Sequence, residues 1–511
     1  MRSSFSMHAY RALRSPPRQR KTRSFLANRV FAARVAGVAL LCLSACAQRR
    51  TPELPPGPAV ERNSDSAGRK NVSVTIYNSN FGLIREARQV ELGTGRVSLS
   101  YADVSANIQP ESVHIESLSD ANALHVFEQN YRYDLLTPQK LLEKYVGKRL
   151  RVVRYNEKLG TEESKEAEVL AVEGGPVLRI DGEVVTGFSG RYVFPELPAN
   201  LVPKPTLVWL LGSTKPRQDV QVTYLSSNLS WHADYVLSLD ADDAHGNLTG
   251  WVTLDNKCGT SFRNAELKLV AGDVQRIVPP PPPPMPADAA MEMAPVTPAP
   301  SFKQESLFEY HLYTLERPTD LLDKEQKQVS LLEAHGVAVK KRLLLRGAPY
   351  WYFGRYGTVL DKQKVSAYVL IENAEKNKLG MPLPKGTVRV YKADRGGAQQ
   401  FVGEDSIDHT PRDEKLEIKL GESFDVVADQ KQTNFTNLGK CEHESDWEIA
   451  LRNHKDSAEV VDVEEPVNGD YRIVASSHPS QKKDAHTFTF SIAVPARGEV
   501  KLTYRVRVKS C

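Results

Sequence analysis

Alternation of apolar and polar residues with a period of two is the feature that most constrains this chain. Val72, Val74 and Ile76 alternate with polar neighbours, as do Val97, Leu99 and Tyr101. Successive side chains of an extended strand point to opposite faces, so such a run buries one face and wets the other. The pattern returns in DVQVTYL, LSWHADYVLSL and TVRVYKA. These strands predict a mainly β, multi-domain chain of β-sandwiches. One short helix interrupts: Thr137 is an N-cap, Pro138 suits the first helical position, Leu141, Leu142 and Tyr145 form an apolar face, and Gly147 closes it.

Between residues 147 and 196 five short strands follow in quick succession, separated by Gly174-Gly175 and Asp181-Gly182. Such pairs supply the positive φ that tight hairpins need. The stretch predicts a small SH3-like barrel. A longer-range pattern then recurs three times: a strand ends at Asn256, Asn373 or Asn453, a polar turn follows, and a new strand begins. Asn bonds its own backbone at turns. The irregular spacing excludes a solenoid and suits successive sandwiches.

The N-terminus is different in kind. Val35 to Ala45 is mostly apolar, too short to span a bilayer, which takes about 20 residues, and right for a signal-peptide core of about 7–15. Arg29 and Arg34 precede it, and it ends Leu43-Ser44-Ala45-Cys46, which resembles the bacterial lipobox. That resemblance implies lipidation at Cys46, membrane anchoring through the N-terminal lipid, and, with Ala47 next, outer-membrane sorting facing periplasm or surface. The leader is long for its type; a translation start near Val30 would give it ordinary length. Nine of the 67 basic residues and none of the 63 acidic ones lie in residues 1–45, which leaves 58 against 63, a net of −5. A mature protein of that charge has no basic face for nucleic acid. The cysteines, Cys42, Cys46, Cys258, Cys441 and Cys511, are too few and too scattered for a disulfide framework or a zinc site.

The expected organisation is a signal peptide at 1–45, a disordered tether at 46–70, an N-terminal sandwich at 71–136, and the helix with the small barrel at 137–196. Sandwich strands follow at 197–277, a proline-rich loop at 278–304, and the remaining sandwich at 305–511. Pro279 to Pro284 favour extended polyproline II.

Several long stretches resemble the C-terminal domain, of unknown function, of bacterial mucoidy-inhibitor-like proteins. They are LFEYHLYTLERPTDLLDKEQKQVSLL (Leu307 to Leu332), Leu383 to Asp394, Phe401 to Glu414, Gly421 to Phe435, Tyr224 to Asp240 and Asn256 to Asp273. VTIYNSNFGLIREARQVEL is similar to that family's N-terminal domain more loosely. The resemblance implies β-sandwich architecture and a bacterial envelope setting. It implies no reaction and carries over no catalytic residue. Many relatives have a coiled coil where this chain has the small barrel.

No phosphate loop, dinucleotide fingerprint, HExxH or GxSxG occurs, and no cofactor or metal is expected. Gly187 to Gly190 is read as a turn. Asp240, Asp242, Asp243 and Asn247 lack the spacing of a calcium loop and read as a solvated hairpin tip. Glu309 and His311 lie two apart on an expected strand, hence on one face. Glu404, Asp405, Asp408 and His409 form a carboxylate cluster that offers glycosidase-type acid/base work if two carboxyls converge, or turn and hydrogen-bond duty if they do not. Tyr350, Trp351, Tyr352 and Phe353, with Tyr356, are bracketed by Pro349 and Gly354. Such rings either stack on a glycan or protein partner or plug a core, the weightier reading. The expected function is a non-catalytic, lipid-anchored cell-envelope protein that binds a protein or glycan partner through sandwich surfaces. The alternative is an envelope hydrolase acting on polysaccharide through the carboxylate cluster.

Overall fold

A computed structural model describes residues 55–156, 160–198, 201–276 and 302–510. It is 65% strand and 5% helical, so the alternation read from the sequence sets the class. The leader, Cys46 and the proline run lie outside the described residues.

The first sandwich has two sheets. One runs β1 (Val60–Ser64), β4 (Gly95–Ala102), β12 (Thr206–Ser213), β6 (Leu124–Arg132). The other runs β17 (Phe302–Leu307), β18 (Tyr310–Leu315), β16 (Phe262–Ala271), β2 (Arg69–Tyr77), β3 (Phe81–Glu91), β13 (Arg217–Ser227), β5 (His114–Ser117). A short β19 (Thr319–Leu321) also pairs with β16. Val74, Ile84, Val220 and Tyr224 share one buried core with Leu99, Tyr101 and Trp209.

Three boundaries differ from expectation, the first being that Phe302 to Gln304, expected in the proline-rich loop, already belong to β17 and pair with β18. Residues 60–70, expected in the tether, are β1 and the start of β2; β1 pairs parallel with β4 from Val60–Val97 to Ser64–Tyr101. A polar edge strand such as VERNS has no alternation to read, because its order comes from backbone pairing. Residues 71–136 also do not close a sandwich alone. β12, β13, β16 and β18 complete it from beyond residue 197. β6 and β12 pair antiparallel like a hairpin, but the small module is inserted between them.

That module is α1 (Pro138–Lys144) and an antiparallel sheet ordered β10 (Glu183–Thr186), β9 (Val177–Ile180), β8 (Thr161–Ala171), β7 (Arg149–Asn156), β11 (Arg191–Val193). The Thr137 hydroxyl accepts the Lys140 amide at 3.1 Å, as the cap predicted. Asp181 and Gly182 take φ of 49° and 88°, the left-handed pair of a tight hairpin. Leu142 and Tyr145 pack on Leu150, Val152, Val169 and Leu178. The sheet is open rather than a closed barrel. Its end strands have four and three residues and do not pair with each other among the described residues.

The largest sheet runs β23 (Gln399–Ile407), β22 (Gly386–Ala393), β14 (Leu229–Leu239), β15 (His245–Asn256), β20 (Glu325–Arg346), β21 (Thr358–Glu372), β24 (Lys415–Gly439), β25 (Glu442–Asn453), β30 (Glu499–Lys509), β27 (Asp470–Ser476). β26 (Glu459–Pro466) joins β20 to β29 (Thr487–Val494), which carries β28 (Ser480–Asp484). Three strands run through two cores. β20 places Val329 and Leu331 in the first and Leu343 and Leu345 in the second; β21 divides Ile371 from Val365, and β24 divides Ile418 from Val426. The sandwiches therefore share strands instead of hanging on linkers.

The three terminal Asn residues mark this interlocking. Asn256, Asn373 and Asn453 are buried, and the strand after each pairs parallel with an earlier one: β16 with β2, β22 with β14, β26 with β20. Each amide crosslinks its corner. Asn373 donates to the carbonyls of Met381 and Pro411 at 2.9 Å and accepts the Gly380 amide at 3.0 Å. Asn453 donates to Ser457 and Pro495 and accepts Lys455; Asn256 donates to Thr260 and Leu321 and accepts Cys258. A side chain with both donor and acceptor is needed to satisfy buried turn backbone of both kinds.

Candidate functional site

Leaving β20, the chain passes Gly347 and turns through a short 3-10 segment, Pro349–Phe353, with Pro at its first position. The turn divides the aromatic run. Trp351 and Tyr352 are 5% and 0% exposed, whereas Tyr350 and Tyr356 are 59% and 39% exposed. Phe353 is half-buried against the second core. Trp351 lies 6.2 Å from Trp447 between ring centres, and Tyr352 lies 5.5 Å from Trp447 and 6.3 Å from Phe488. Two of the five rings weighed as a binding surface or a core plug therefore plug the sandwich, and of the five only Tyr350 and Tyr356 are exposed. Gln432 holds the turn by its backbone. Its side-chain Oε1 accepts the Tyr356 backbone amide at 2.6 Å, and its side-chain Nε2 donates to the carbonyls of Gly354 at 3.0 Å and Trp351 at 3.4 Å.

Beneath the turn lies Glu465, fully buried. The Tyr352 hydroxyl donates to its Oε2 at 2.8 Å, and the Gln430 amide donates to its Oε1 at 2.9 Å. The Tyr504 hydroxyl is 3.1 Å from that of Tyr352. Burial pushes the carboxyl up to about 7, against the opposing pull of hydrogen bonds from Tyr352, Gln430 and Tyr504. Burial raises both tyrosines well above the ordinary range too. Glycine at 347 is required by close approach, since a Cβ there would lie 1.9 Å from Oε2.

The carboxylate cluster does not converge. Glu404 and Asp405 are consecutive on β23, so their side chains leave opposite faces. Glu404 pairs with Arg389 at 3.3 Å. Asp405 accepts the amides of Ser406 at 2.8 Å and Lys419 at 2.7 Å. Asp408 is exposed, and its carbonyl accepts Thr410. His409 accepts the Lys385 amide at 3.2 Å, and burial, with Lys385 beside it, lowers its pKa. These are turn and ladder duties.

Arg389 reaches across to Asp234 at 3.2 Å. Burial raises the Asp234 carboxyl, but hydrogen bonds from His232, Thr253 and Arg389 outweigh it and hold the group down to about 2. Asp240 and Asp242 lie at the β14–β15 tip with His245, their possible ligand atoms within 4.8 Å of one another and all exposed. Asp243 instead pairs with Lys392, and Asn247 accepts the Gly336 amide. Glu309 sits in the β17–β18 turn rather than on a strand, and His311 bonds Gln304 at 2.9 Å.

Three buried charged side chains, Glu465, Glu86 and Arg88, stand inside the alternation but carry no apolar signal. Val461, Val463 and Glu465 occupy every second position of β26, so Glu465 shares the core face. Likewise Ile84, Glu86, Arg88 and Val90 share a face of β3. There Glu86 accepts Arg69 at 2.6 Å and the Tyr101 hydroxyl at 2.7 Å and pairs with Arg88, which also donates to the Ala102 carbonyl at 2.7 Å.

Interlocked sheets, buried polar anchors and engaged carboxylates define a mainly β protein of the sandwich class. Residues 220–510 match the family described as a domain of unknown function, DUF4139. That span exceeds half of the chain, and the protein belongs to this family. It begins at β13, inside the first sandwich, as expected if that sandwich and the later ones share strands. No curated protein matches the chain.

Proposed function

We propose that this is a lipid-anchored cell-envelope protein without catalytic activity, whose sandwich surfaces bind a protein or glycan partner. Placement rests on the apolar run ending at Cys46. The observation that carries it into the folded part is redox state: Cys441 is disulfide-bonded, whereas Cys258 is a free thiol sealed in the core. Disulfides persist in oxidising compartments such as the periplasm and cell surface. Divergence of Glu404 from Asp405 weighs against the hydrolase reading, because acid and base must flank one bond. The stretches from Leu307 to Leu332 and Gly421 to Phe435 support kinship with the mucoidy-inhibitor-like proteins in particular. Tyr350 and Tyr356 are the rings left for contact.

Affinity capture with detergent-extracted protein tests the reading. Tyr350→Ala with Tyr356→Ala is expected to lose a partner that the wild type retains, with unchanged stability. A capture profile identical for the two proteins contradicts the assigned surface.

A further inference from the structure

Glu465 occupies a chamber without a cation. β26 turns Asp462 and Glu464 to its other face, where Arg342 bonds both and Lys483 bonds Glu464. Facing Glu465 are Tyr352 from the turn, Gln430 from β24 and Tyr504 from β30. Trp447 of β25 and Phe488 of β29 close the chamber with apolar rings, and β20 leaves it through Gly347. Among the described residues none of these is basic. Also against the turn are His443 of β25, whose ring is 6.2 Å from that of Phe353, and Arg355, which follows the turn and donates to the Phe435 carbonyl of β24 at 3.4 Å.

We propose that the Pro349–Phe353 turn is a proton-operated latch. The protonated Glu465 carboxyl keeps it shut, and loss of that proton favours an open form in which the turn lifts and water reaches the carboxylate. The turn is the side that yields. β24, β25, β26, β29 and β30 are tied into ladders over eight or more residues each. The turn has no ladder and is held by Gln432, by the Tyr352 hydroxyl and by the packing of Trp351, Tyr352 and Phe353. Local openings draw on such weakly tied segments.

Both protonation states are accommodated in the closed form, but unequally. An ionised carboxyl there accepts bonds from neutral donors only, in surroundings that exclude water. The carboxyl is held at about 7, against an ordinary 4.5. Ionisation therefore raises the ratio of open to closed forms by up to about 300-fold across that interval, and by about 30-fold from pH 5.5 upward. The closed form still predominates, because Trp351 and Tyr352 each bury on the order of 150–250 Å². The proton thus sets the population of a minor state that displays Trp351 and Tyr352 beside Tyr350 and Tyr356. A partner needing that four-ring surface gains apparent affinity in proportion.

Hydrogen exchange on the whole chain, read by mass spectrometry between pH 5.5 and 8.5, tests this. The observable is the opening ratio of amides 351–357, after correction for intrinsic base-catalysed exchange. In the wild type it is expected to rise about 30-fold and level off above pH 7. Glu465→Gln should abolish the rise and His443→Gln should preserve it. A flat wild-type profile, a rise surviving Glu465→Gln, or a rise lost in His443→Gln overturns the latch. A measurement on the wild type alone covers the case that Glu465→Gln does not fold. The infrared carbonyl band of a protonated carboxyl should vanish with the same midpoint as the exchange change, and separate midpoints contradict the proposal.

Discussion

Gly347→Ala is the sharpest probe of the second core. The added methyl would lie 1.9 Å from Glu465 Oε2, 2.8 Å from its Cδ and 3.2 Å from Oε1. Ordinary contact begins at 3.4 Å, so the carboxyl must retreat by about 1.5 Å. It has nowhere to go, because Tyr352 and Gln430 hold its two oxygens at 2.8 and 2.9 Å. A retreat of that size carries both bonds beyond hydrogen-bond reach. Overpacking costs about 1–3 kcal/mol, and a buried polar group left unpaired costs about 1–3 kcal/mol. Together the loss comes to about 2–6 kcal/mol. Gly347 is not left-handed, so the whole effect is contact. Gly354→Ala is the control, since its Cβ meets nothing nearer than Tyr356 at 3.5 Å. Urea unfolding followed by tryptophan emission reads the difference, Trp351 and Trp447 both reporting from this core. A Gly347→Ala protein within about 0.5 kcal/mol of wild type, the range of an ordinary surface change, would refute the close-approach argument.

Stability should fall with rising pH through the same carboxyl. Its folded value, about 7, exceeds the ordinary 4.5, so the folded state keeps a proton the unfolded chain releases. Stability is then full below pH 4.5, declines to pH 7 and is level above, a loss of about 3 kcal/mol; denaturation midpoints compared with Glu465→Gln should show it, and parallel pH profiles would contradict it. Asn373→Ala strands the carbonyls of Met381 and Pro411 and the amide of Gly380, for an expected cost of about 2–4 kcal/mol. Asn373→Asp should not rescue it, because the donors are still missing; urea midpoints check both. Cys258, whose thiol burial pushes up to about 11, should resist alkylation in native protein and react after unfolding, as mass spectrometry would show.

Much of this architecture was legible in local pattern. Period two located the strands, Asp181-Gly182 the hairpin, and Thr137-Pro138 the helix start, because each is decided by the residue's own backbone and its nearest neighbours. The recurrent Asn was legible as a motif, but its partners were not: Met381 and Pro411 reach Asn373 only after the fold forms. Pairing was illegible for the same reason. Nothing in residues 124–132 announces that their partner is 206–213, with a whole module between. The candidate site divides along this line. Burial of Trp351 and Tyr352 under Tyr350 follows from the tertiary position of a five-residue turn, while Glu465 was present in the alternation of VVDVEEP and needed only to be taken as a core residue.

Placement in the envelope is the claim on which the functional account stands, and the mass of the mature N-terminal peptide recovered from washed membranes tests it most directly. The account predicts a peptide beginning at Cys46 and carrying acyl chains, absent from membranes in Cys46→Ser. A peptide beginning upstream of Cys46, or an unmodified Cys46 in protein freed from membranes by salt alone, would contradict it.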